Sequence, residues 1–287
     1  MSLSYTPLRS VPQPDIRGSI LIIPSISIGN IPQLSVDLLI HSYNFTKIGY
    51  LNDLYLYPFA SPIDYVSTPS NEGIAHAIEV YYSSPLNTTL IQQRSPIAPT
   101  YTEPFVNETI VPFIKSNNFQ KIVILNSSDA GLAEGVSSGD IKYYEAEDLI
   151  TADFERLTIS KNYEVVDNSQ QTPNSKFVSF LLEAFDLPNA KSQSQQSQQQ
   201  QSQQSQQLQS QSSGLSEQQL KDRNVALLMS YVYEGDNFQD AEKMTIKLKD
   251  ILNLLPQEDT KLIKPVSWQG AYGDKSVPNA MEEGIFG

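Results

Sequence analysis

A serine nucleophile is the first chemistry that the sequence suggests, because residues 135–139 read Gly-Val-Ser-Ser-Gly and match the G-x-S-x-G elbow of hydrolases. That elbow lies between a strand and a helix, and its histidine comes later in the chain. Here strand-like residues 140–144 follow the motif, and both histidines, His41 and His76, precede Ser137. The chain order argues against a catalytic triad, and we expect a small polar loop instead.

Metal and nucleotide chemistry find no support in the residue pattern. His41 and His76 are far apart and lack ligand spacing, and the chain has no cysteine. A turn and a helix cap explain Glu234 and Asp236. Neither a Walker A lysine motif nor a G-x-G-x-x-G motif occurs. We therefore expect no metal and no cofactor.

Arg94 ends an apolar strand within the sequence Ile-Gln-Gln-Arg-Ser-Pro at 91–96. Its guanidinium could clamp an anionic ligand, or it could organise backbone carbonyls and a carboxylate where the strand stops. We favour the structural role. The two alternatives differ in whether Arg94 lies buried against a carboxylate or open in a cleft beside other ionisable groups.

The last three residues, Ile285, Phe286 and Gly287, combine two apolar side chains with a free carboxylate. Such an end can fill a slot on a partner while the carboxylate meets a lysine or a backbone nest. The alternative is a frayed terminus without a binding role.

The composition argues against nucleic acid and membranes as partners. The formal net charge is -13 at pH 7, whereas nucleic acid and anionic lipid attract Lys and Arg. The longest apolar runs, residues 20–26 and 225–229, are too short to span a bilayer. No basic-then-apolar stretch is found near Met1, so we expect no leader. Without cysteine to indicate an oxidising compartment, we expect a cytoplasmic or nuclear protein with a basic or neutral protein partner.

Short β-branched and aromatic segments that alternate with helical periodicity predict an α/β domain, in which helices flank a mostly buried central sheet in three layers. The predicted strands are residues 20–23, 47–51, 54–57, 77–82, 89–93, 121–125, 143–146 and 225–232. Helices are expected after Gly29, around 106–114 with a kink at Pro112, at 177–184, and after the turn at 234–237, where Asp236 or Asn237 can cap the helix.

Three segments are expected to lie outside the packed core. Residues 1–17 hold three prolines and no periodicity, which predicts disorder. Apart from Leu208, residues 192–213 are all Gln or Ser, so we expect a disordered insertion at 189–216 within a single domain spanning 18–273. Residues 274–287 are predicted to be a flexible tail. Trp268 is expected to anchor the chain between the last helix and that tail.

Four segments together resemble the proteasome assembly chaperone 2 family of fungi: residues 27–34, 91–96, 234–237 and 267–273. The resemblance spans about 18–273, and the combination is more specific than any one segment. The family-motif residues, with an expected structural role, are Gly29, Asn30, Pro32, Gln33, Gln93, Arg94, Glu234, Gly235, Asp236, Asn237, Trp268 and Gly270.

The resemblance implies a non-enzymatic chaperone that forms a heterodimer with proteasome assembly chaperone 1 and sits on the α-ring of the 20S proteasome. It also implies that a C-terminal hydrophobic-tyrosine-any motif enters pockets between α subunits, which here falls on Ile285, Phe286 and Gly287. Phe286 replaces the tyrosine, so a hydrogen bond of the phenol, worth about 1 kcal/mol, is lost.

Two other functions fit the sequence less well. A small-molecule hydrolase or phosphorylase on the same layered fold would use Arg94 as its anion clamp, and the fold alone would not separate it from a chaperone. A Gln-rich regulatory scaffold would lose its function when 192–213 is deleted.

Overall fold

The computed structural model describes residues 4–67, 73–133, 135–145, 173–185, 224–253 and 261–268. The strands are β1 (Tyr5–Pro7), β2 (Ile20–Pro24), β3 (Thr46–Leu51), β4 (Ala60–Pro62), β5 (Ile74–His76), β6 (Ile78–Ser83), β7 (Thr88–Gln93), β8 (Lys121–Asp129), β9 (Ile141–Glu145) and β10 (Asn224–Val232). The α-helices are α1 (Ile31–Ser42), α2 (Thr102–Phe105), α3 (Val111–Asn117), α4 (Pro173–Glu183) and α5 (Phe238–Leu252).

In the described part of the chain, eight strands form one mixed sheet with the strand order β1-β3-β6-β7-β2-β8-β10-β9. The four strands β7, β2, β8 and β10 run parallel, and the remaining pairs in the sheet are antiparallel. β4 and β5 form a separate antiparallel pair. The parallel half is the part of the fold that brings the ends of β2, β8 and β10 to one edge of the sheet.

Helices cover both faces of the sheet, which confirms the three-layer α/β prediction. Central strands such as β2 and β8 are apolar on both faces, as strands between two helical layers must be. Successive residues of β2 separate the two cores: Leu21 packs with Phe105 and Phe177, whereas Ile22 packs with residues of α1 and α5, among them Leu38. In the described part of the chain, no helix is long and apolar enough to cross a bilayer.

The helix expected around Pro112 is divided into three segments. A π-helical segment, Val106–Ile110, joins α2 to α3, and Pro112 lies in the first turn of α3. Proline lacks the N–H that would bond to the preceding turn, so irregular backbone before it is expected.

The strand predicted at 54–57 is wrong. The Leu56 N–H donates to the Asp53 carbonyl (2.9 Å), so a turn forms there, and Leu56 makes only an isolated bridge with Ile97. The tyrosines of this segment have high strand propensity, but the turn that begins at Asp53 outweighs it.

The disorder predicted for 1–17 is wrong for the described residues 4–17. β1 pairs with β3 along Tyr5–Pro7, and the Tyr5 ring packs 5.6 Å from that of Phe113. Gly49 makes this approach possible, because a Cβ there would lie 2.5 Å from the Thr6 carbonyl oxygen. Backbone pairing with β3 therefore compensates for a composition that lacks hydrophobic periodicity.

The boundaries expected around the Gln/Ser insertion and the C-terminal tail lie outside the described residues, so 189–216 and 274–287 stay predictions. β10, which follows the insertion in sequence, lies in the sheet between β8 and β9, both of which precede it.

Candidate functional site

The G-x-S-x-G segment forms the small polar loop that the chain order predicts. The Ser137 N–H donates to Asp140 Oδ2 (2.8 Å), and the Gly139 N–H donates to the Tyr231 carbonyl (2.7 Å). Strand β9, not a helix, follows at Ile141, so the loop lacks the geometry of a nucleophile elbow. Among the described residues, no group of three or more His, Asp or Glu side chains could hold a metal ion.

Two of the family-motif segments meet where β2 and β10 end. Gly29 and Asn30 both have left-handed backbone, with φ of 67° and 50°. A Cβ at Gly29 would lie 2.4 Å from Asn237 Oδ1. The Asn237 side chain accepts from the Gly235 N–H (3.1 Å) and donates to the Tyr233 carbonyl (3.0 Å). Asn237 therefore fixes the turn that leads into α5 directly against Gly29.

Of the two residues predicted to cap α5, Asp236 and Asn237, only Asp236 accepts a hydrogen bond from the first turn of the helix. Asn237 stands at the N-cap position of α5 but makes no side-chain cap hydrogen bond. Asp236 Oδ1 instead accepts from the Phe238 N–H at 3.3 Å. Glu234 and Gly235 are exposed on the same turn.

Gln33, which directly follows Pro32 in the first turn of α1, connects α1 to two strands. Its Nε2 donates to the Ser25 carbonyl (2.8 Å), and its own carbonyl accepts from Gln92 Nε2 (2.9 Å). On β7, Gln93 turns the other way, and its Nε2 donates to the Ser95 carbonyl (2.9 Å). The two neighbouring glutamines thus support α1 and the end of β7 respectively.

Sequence reasoning missed a buried hydroxyl network at the ends of β2 and β8. Ser27 Oγ pairs with Ser127 Oγ (2.7 Å), and Ser127 Oγ donates to the Ile28 carbonyl (2.6 Å). Ser25 Oγ donates to Asn126 Oδ1. The signal was available, because small polar residues directly follow two predicted parallel strands, whose carboxyl ends share one edge of a sheet. The network satisfies backbone groups where the chain leaves the sheet.

Arg94 lies in a cluster of buried charges at the end of β7. Its Nη2 lies 3.0 Å from Asp37 Oδ1 on α1, and its Nε lies 3.4 Å from Glu79 Oε2 on β6. Glu79 is fully buried and also accepts from Lys47 Nζ, from the His76 N–H (2.9 Å) and from the Tyr81 hydroxyl (2.9 Å). This arrangement supports the structural role that we favoured for Arg94.

The electrostatics keep these groups in fixed charge states. Burial raises the pKa of Glu79, but hydrogen bonds from Lys47 and the His76 N–H, with the charges of Lys47 and Arg94, outweigh it and hold that pKa below its usual value. Burial lowers the pKa of Arg94, but the charges of Asp37, Tyr81 and Glu79 raise it above its usual value. Burial and then Glu79 raise the pKa of Tyr81, which therefore stays a neutral hydrogen-bond donor.

A cavity of about 330 Å³ opens beside this cluster. Lys47, Tyr81 and Arg94 border it together with His41, whose pKa burial lowers. The remaining lining residues are Ile40, Asn44, Phe45, Ile63, Asp64, Val66 and Ala75. Arg94 thus meets both of the alternatives set out above, since it is buried against carboxylates and also borders a cleft with other ionisable groups.

Trp268 is packed into the core at the end of the described chain. Its indole is buried, packs in the core beneath α1 and α5, and stacks on Phe238 with ring centroids 4.4 Å apart. Before it, the Ser267 hydroxyl donates to Asp64 and the Val266 N–H donates to the Tyr65 carbonyl (2.8 Å). Gly270 and the terminal residues Ile285, Phe286 and Gly287 lie outside the described residues, so their roles stay predictions.

Replacing Gly29 by alanine is expected to destabilise the fold by about 2–4 kcal/mol, because a left-handed alanine is strained and its Cβ would displace Asn237. Urea unfolding followed by tryptophan fluorescence measures the loss. Gly235→Ala on the same turn is the control, since a Cβ there meets nothing within 4 Å. Equal stability of the two variants would contradict the packing of Gly29 on Asn237.

Comparison with known proteins places this arrangement in a family. A model of the PAC2 family matches residues 21–164, half of the chain. Proteasome assembly chaperone 2 of Saccharomyces cerevisiae is 28% identical over 269 residues, which cover 89% of this chain and 95% of the yeast protein. Proteasome assembly chaperone 2 of Homo sapiens is 24% identical over 273 residues, which cover 92% of this chain and 96% of the human protein.

A solved structure shows the same fold at low sequence identity. The crystal structure of Pyrococcus furiosus PbaA, an archaeal homologue of proteasome-assembly chaperone, superposes with a TM-score of 0.51 at 12% identity, over 89% of this chain and 88% of that one. Of the family-motif residues described above, those from Gly29 to Arg94 fall within the part of the sequence that the family model matches. Because the family model matches half of this chain, the chain belongs to the PAC2 family.

Proposed function

We propose that this chain is a non-enzymatic chaperone of 20S proteasome assembly, which pairs with proteasome assembly chaperone 1 and binds the α-ring. The observation that carries the proposal is the similarity to proteasome assembly chaperone 2 of yeast along 89% of this chain and 95% of that protein. Similarity along nearly the whole of both chains favours a shared role over a shared fold alone.

The described residues give further support to a binding role. The one nucleophile motif forms a loop without a histidine, and the charges around Arg94 are paired with each other.

We further propose that the C-terminal residues Ile285, Phe286 and Gly287 dock between neighbouring α subunits. Two apolar side chains next to a carboxylate suit a slot with a lysine at its end. A single tail binds weakly, but a second tail on the partner subunit would raise the effective concentration and make the two contacts useful and reversible. Reversible binding suits a chaperone that leaves the mature particle.

Removing residues 285–287 is expected to weaken binding to α-ring precursors roughly tenfold or more, because a charge-assisted contact and two apolar contacts are lost. Stability and pairing with the partner subunit should not change. Adding one alanine after Gly287 keeps the apolar side chains but displaces the carboxylate, so the loss should depend on salt. Phe286→Tyr should strengthen binding if the pocket offers the phenol a partner.

Titration of each variant, paired with its partner subunit, onto α-ring precursors at two salt concentrations measures these effects. Equal affinity for the intact chain, the truncation and the alanine extension would exclude docking of the tail. The assembly role itself would fail if the intact protein, purified from its own cells, carried neither the partner subunit nor proteasome precursors.

An enzyme that uses Arg94 as an anion clamp is the second candidate, and the cavity beside Arg94 is the observation that favours it. Three N–H groups of Arg94 already point at Asp37 and Glu79, which leaves less positive charge for a ligand. Calorimetric titration with inorganic phosphate tests this function, and binding that Arg94→Lys abolishes would favour it over the chaperone role.

A further inference from the structure

Three large apolar side chains are exposed where the turn at 53–57 lies beside the connection at 96–101. Leu54 is 71% exposed, Tyr57 49% and Tyr101 48%. Single exposed apolar residues are ordinary, but a group rich in tyrosine is typical of protein interfaces. We call the surface formed by Leu54, Tyr55, Tyr57 and Tyr101 the tyrosine platform.

The backbone beneath the tyrosine platform is held by hydrogen bonds between its two segments. The Tyr57 N–H donates to the Pro96 carbonyl (3.1 Å), and the Ala98 N–H donates to the Tyr55 carbonyl (2.8 Å). The rings of Tyr55 and Tyr101 stack with centroids 5.6 Å apart. The Tyr55 hydroxyl donates to Glu108 Oε2 at 2.6 Å. A surface that is already ordered loses little conformational entropy when a partner binds.

Thr100, directly before Tyr101, has a φ of 71°. A β-branched residue in the left-handed region is a true outlier, since its side chain crowds the backbone there. Such strain persists only where the surrounding structure imposes it, and it concentrates at functional sites. Here the strained residue sets the direction in which the chain enters α2 and in which Tyr101 projects.

The surroundings of the tyrosine platform are negatively charged. Asp53, Glu103 and Glu108 are exposed on its two segments and on the adjoining helix. The sequence contains no lysine or arginine at 48–60 or at 95–114. An approaching arginine or lysine would meet carboxylates together with the faces of exposed tyrosine rings, which attract cations.

We propose that this chain pairs with its partner chaperone subunit through the tyrosine platform, and that the partner presents an arginine or lysine beside apolar side chains. The inference rests on the proposed function, because that function supplies the partner. Lasting subunit interfaces are more apolar than transient ones, so exposed leucine and tyrosine fit a lasting partner subunit better than the reversible α-ring contact proposed above.

Leu54→Ser and Tyr57→Ser test the proposal, because both side chains are exposed and their loss should leave the folded chain intact. Each is expected to weaken pairing with co-expressed proteasome assembly chaperone 1 roughly tenfold or more. Ile246→Ser on α5 is the matched control, since Ile246 is as exposed as Tyr57. It should leave pairing unchanged. The thermal midpoint of each isolated variant, followed by circular dichroism, verifies folding.

Charge reversal provides a second, independent test. Glu103→Lys should weaken pairing and reduce its dependence on salt, because a favourable long-range attraction is removed. The proposal would be overturned if the Leu54→Ser Tyr57→Ser double variant paired as well as the intact chain and had the same thermal midpoint. Failure of the proposed function gives a different result, since the intact chain would then not pair with that subunit at all.

Discussion

Replacing Glu79 by glutamine is expected to lower the free energy of unfolding by about 3–5 kcal/mol at pH 7. Glu79 is fully buried and accepts hydrogen bonds from Lys47 and Tyr81 while it pairs with Arg94. Glutamine has nearly the same shape but no charge. The variant would remove the carboxylate that Lys47 and Arg94, both partly buried, share, and only Arg94 would keep its contact with Asp37.

The same substitution should change how stability depends on pH. The pKa of Glu79 in the folded chain is held below its usual value, whereas in the unfolded chain it returns to about 4.3. The charge therefore contributes its full stability above about pH 4.3 and loses it as the pH falls through the folded-state pKa. Glutamine has no such titration, so the difference between the two proteins should be largest near neutral pH and shrink in acid.

Urea unfolding between pH 3 and 8 measures both effects. Asp15→Asn is the control, because Asp15 and Arg17 form an ion pair on the surface. An exposed pair contributes little, so that variant should follow the wild type at neutral pH. A Glu79→Gln protein as stable as wild type at pH 7 would show that Lys47 and Arg94 do not depend on this carboxylate.

Replacing Trp268 by alanine should cost about 3–5 kcal/mol, the usual loss when a buried aromatic side chain is truncated in a core. The indole fills the space beside Phe238 at the start of α5 and packs against the core under α1. Its removal would leave a cavity and free the turn that Asp64 and Ser267 hold.

Calorimetry measures this loss, since the variant lacks the only tryptophan. Trp268→Phe, which can keep the stack on Phe238, should recover part of the lost stability. The wild type offers a separate check, because a buried indole emits at shorter wavelength than one in water. Emission typical of full exposure to water would contradict the burial of Trp268.

The sequence predicts the central parallel strands well because each is a short apolar run with turn residues at its ends, as in β2, β8 and β10. It fails for 54–57, where strand propensity competes with a turn at Asp53. It fails again for β1, because β1 is stabilised by β3 and by Gly49, some 40 residues away, and not by its own pattern.

The candidate site shows the same division between local and distant information. A structural role for Arg94 could be anticipated from its place at the end of a strand, but its partners could not. Glu79 precedes Arg94 by 15 residues and Asp37 precedes it by 57. Nothing in the local sequence of either acid indicates that the fold buries it. The contact between Gly29 and Asn237 is likewise invisible to periodicity, although both residues stand in recognisable motifs.

The position of β10 in the sheet has a consequence for synthesis on the ribosome. Leu227 of β10 pairs with Ile124 of β8, which is translated 103 residues earlier. At roughly 5–20 residues per second, β8 waits on the order of 5–20 seconds for the neighbour that covers its open edge. An apolar strand with unpaired backbone is prone to join other chains during such a delay. The Gln/Ser residues at 192–213 are translated within this interval. A longer tract therefore lengthens the time for which the edge of β8 is exposed, even if the folded protein is the same.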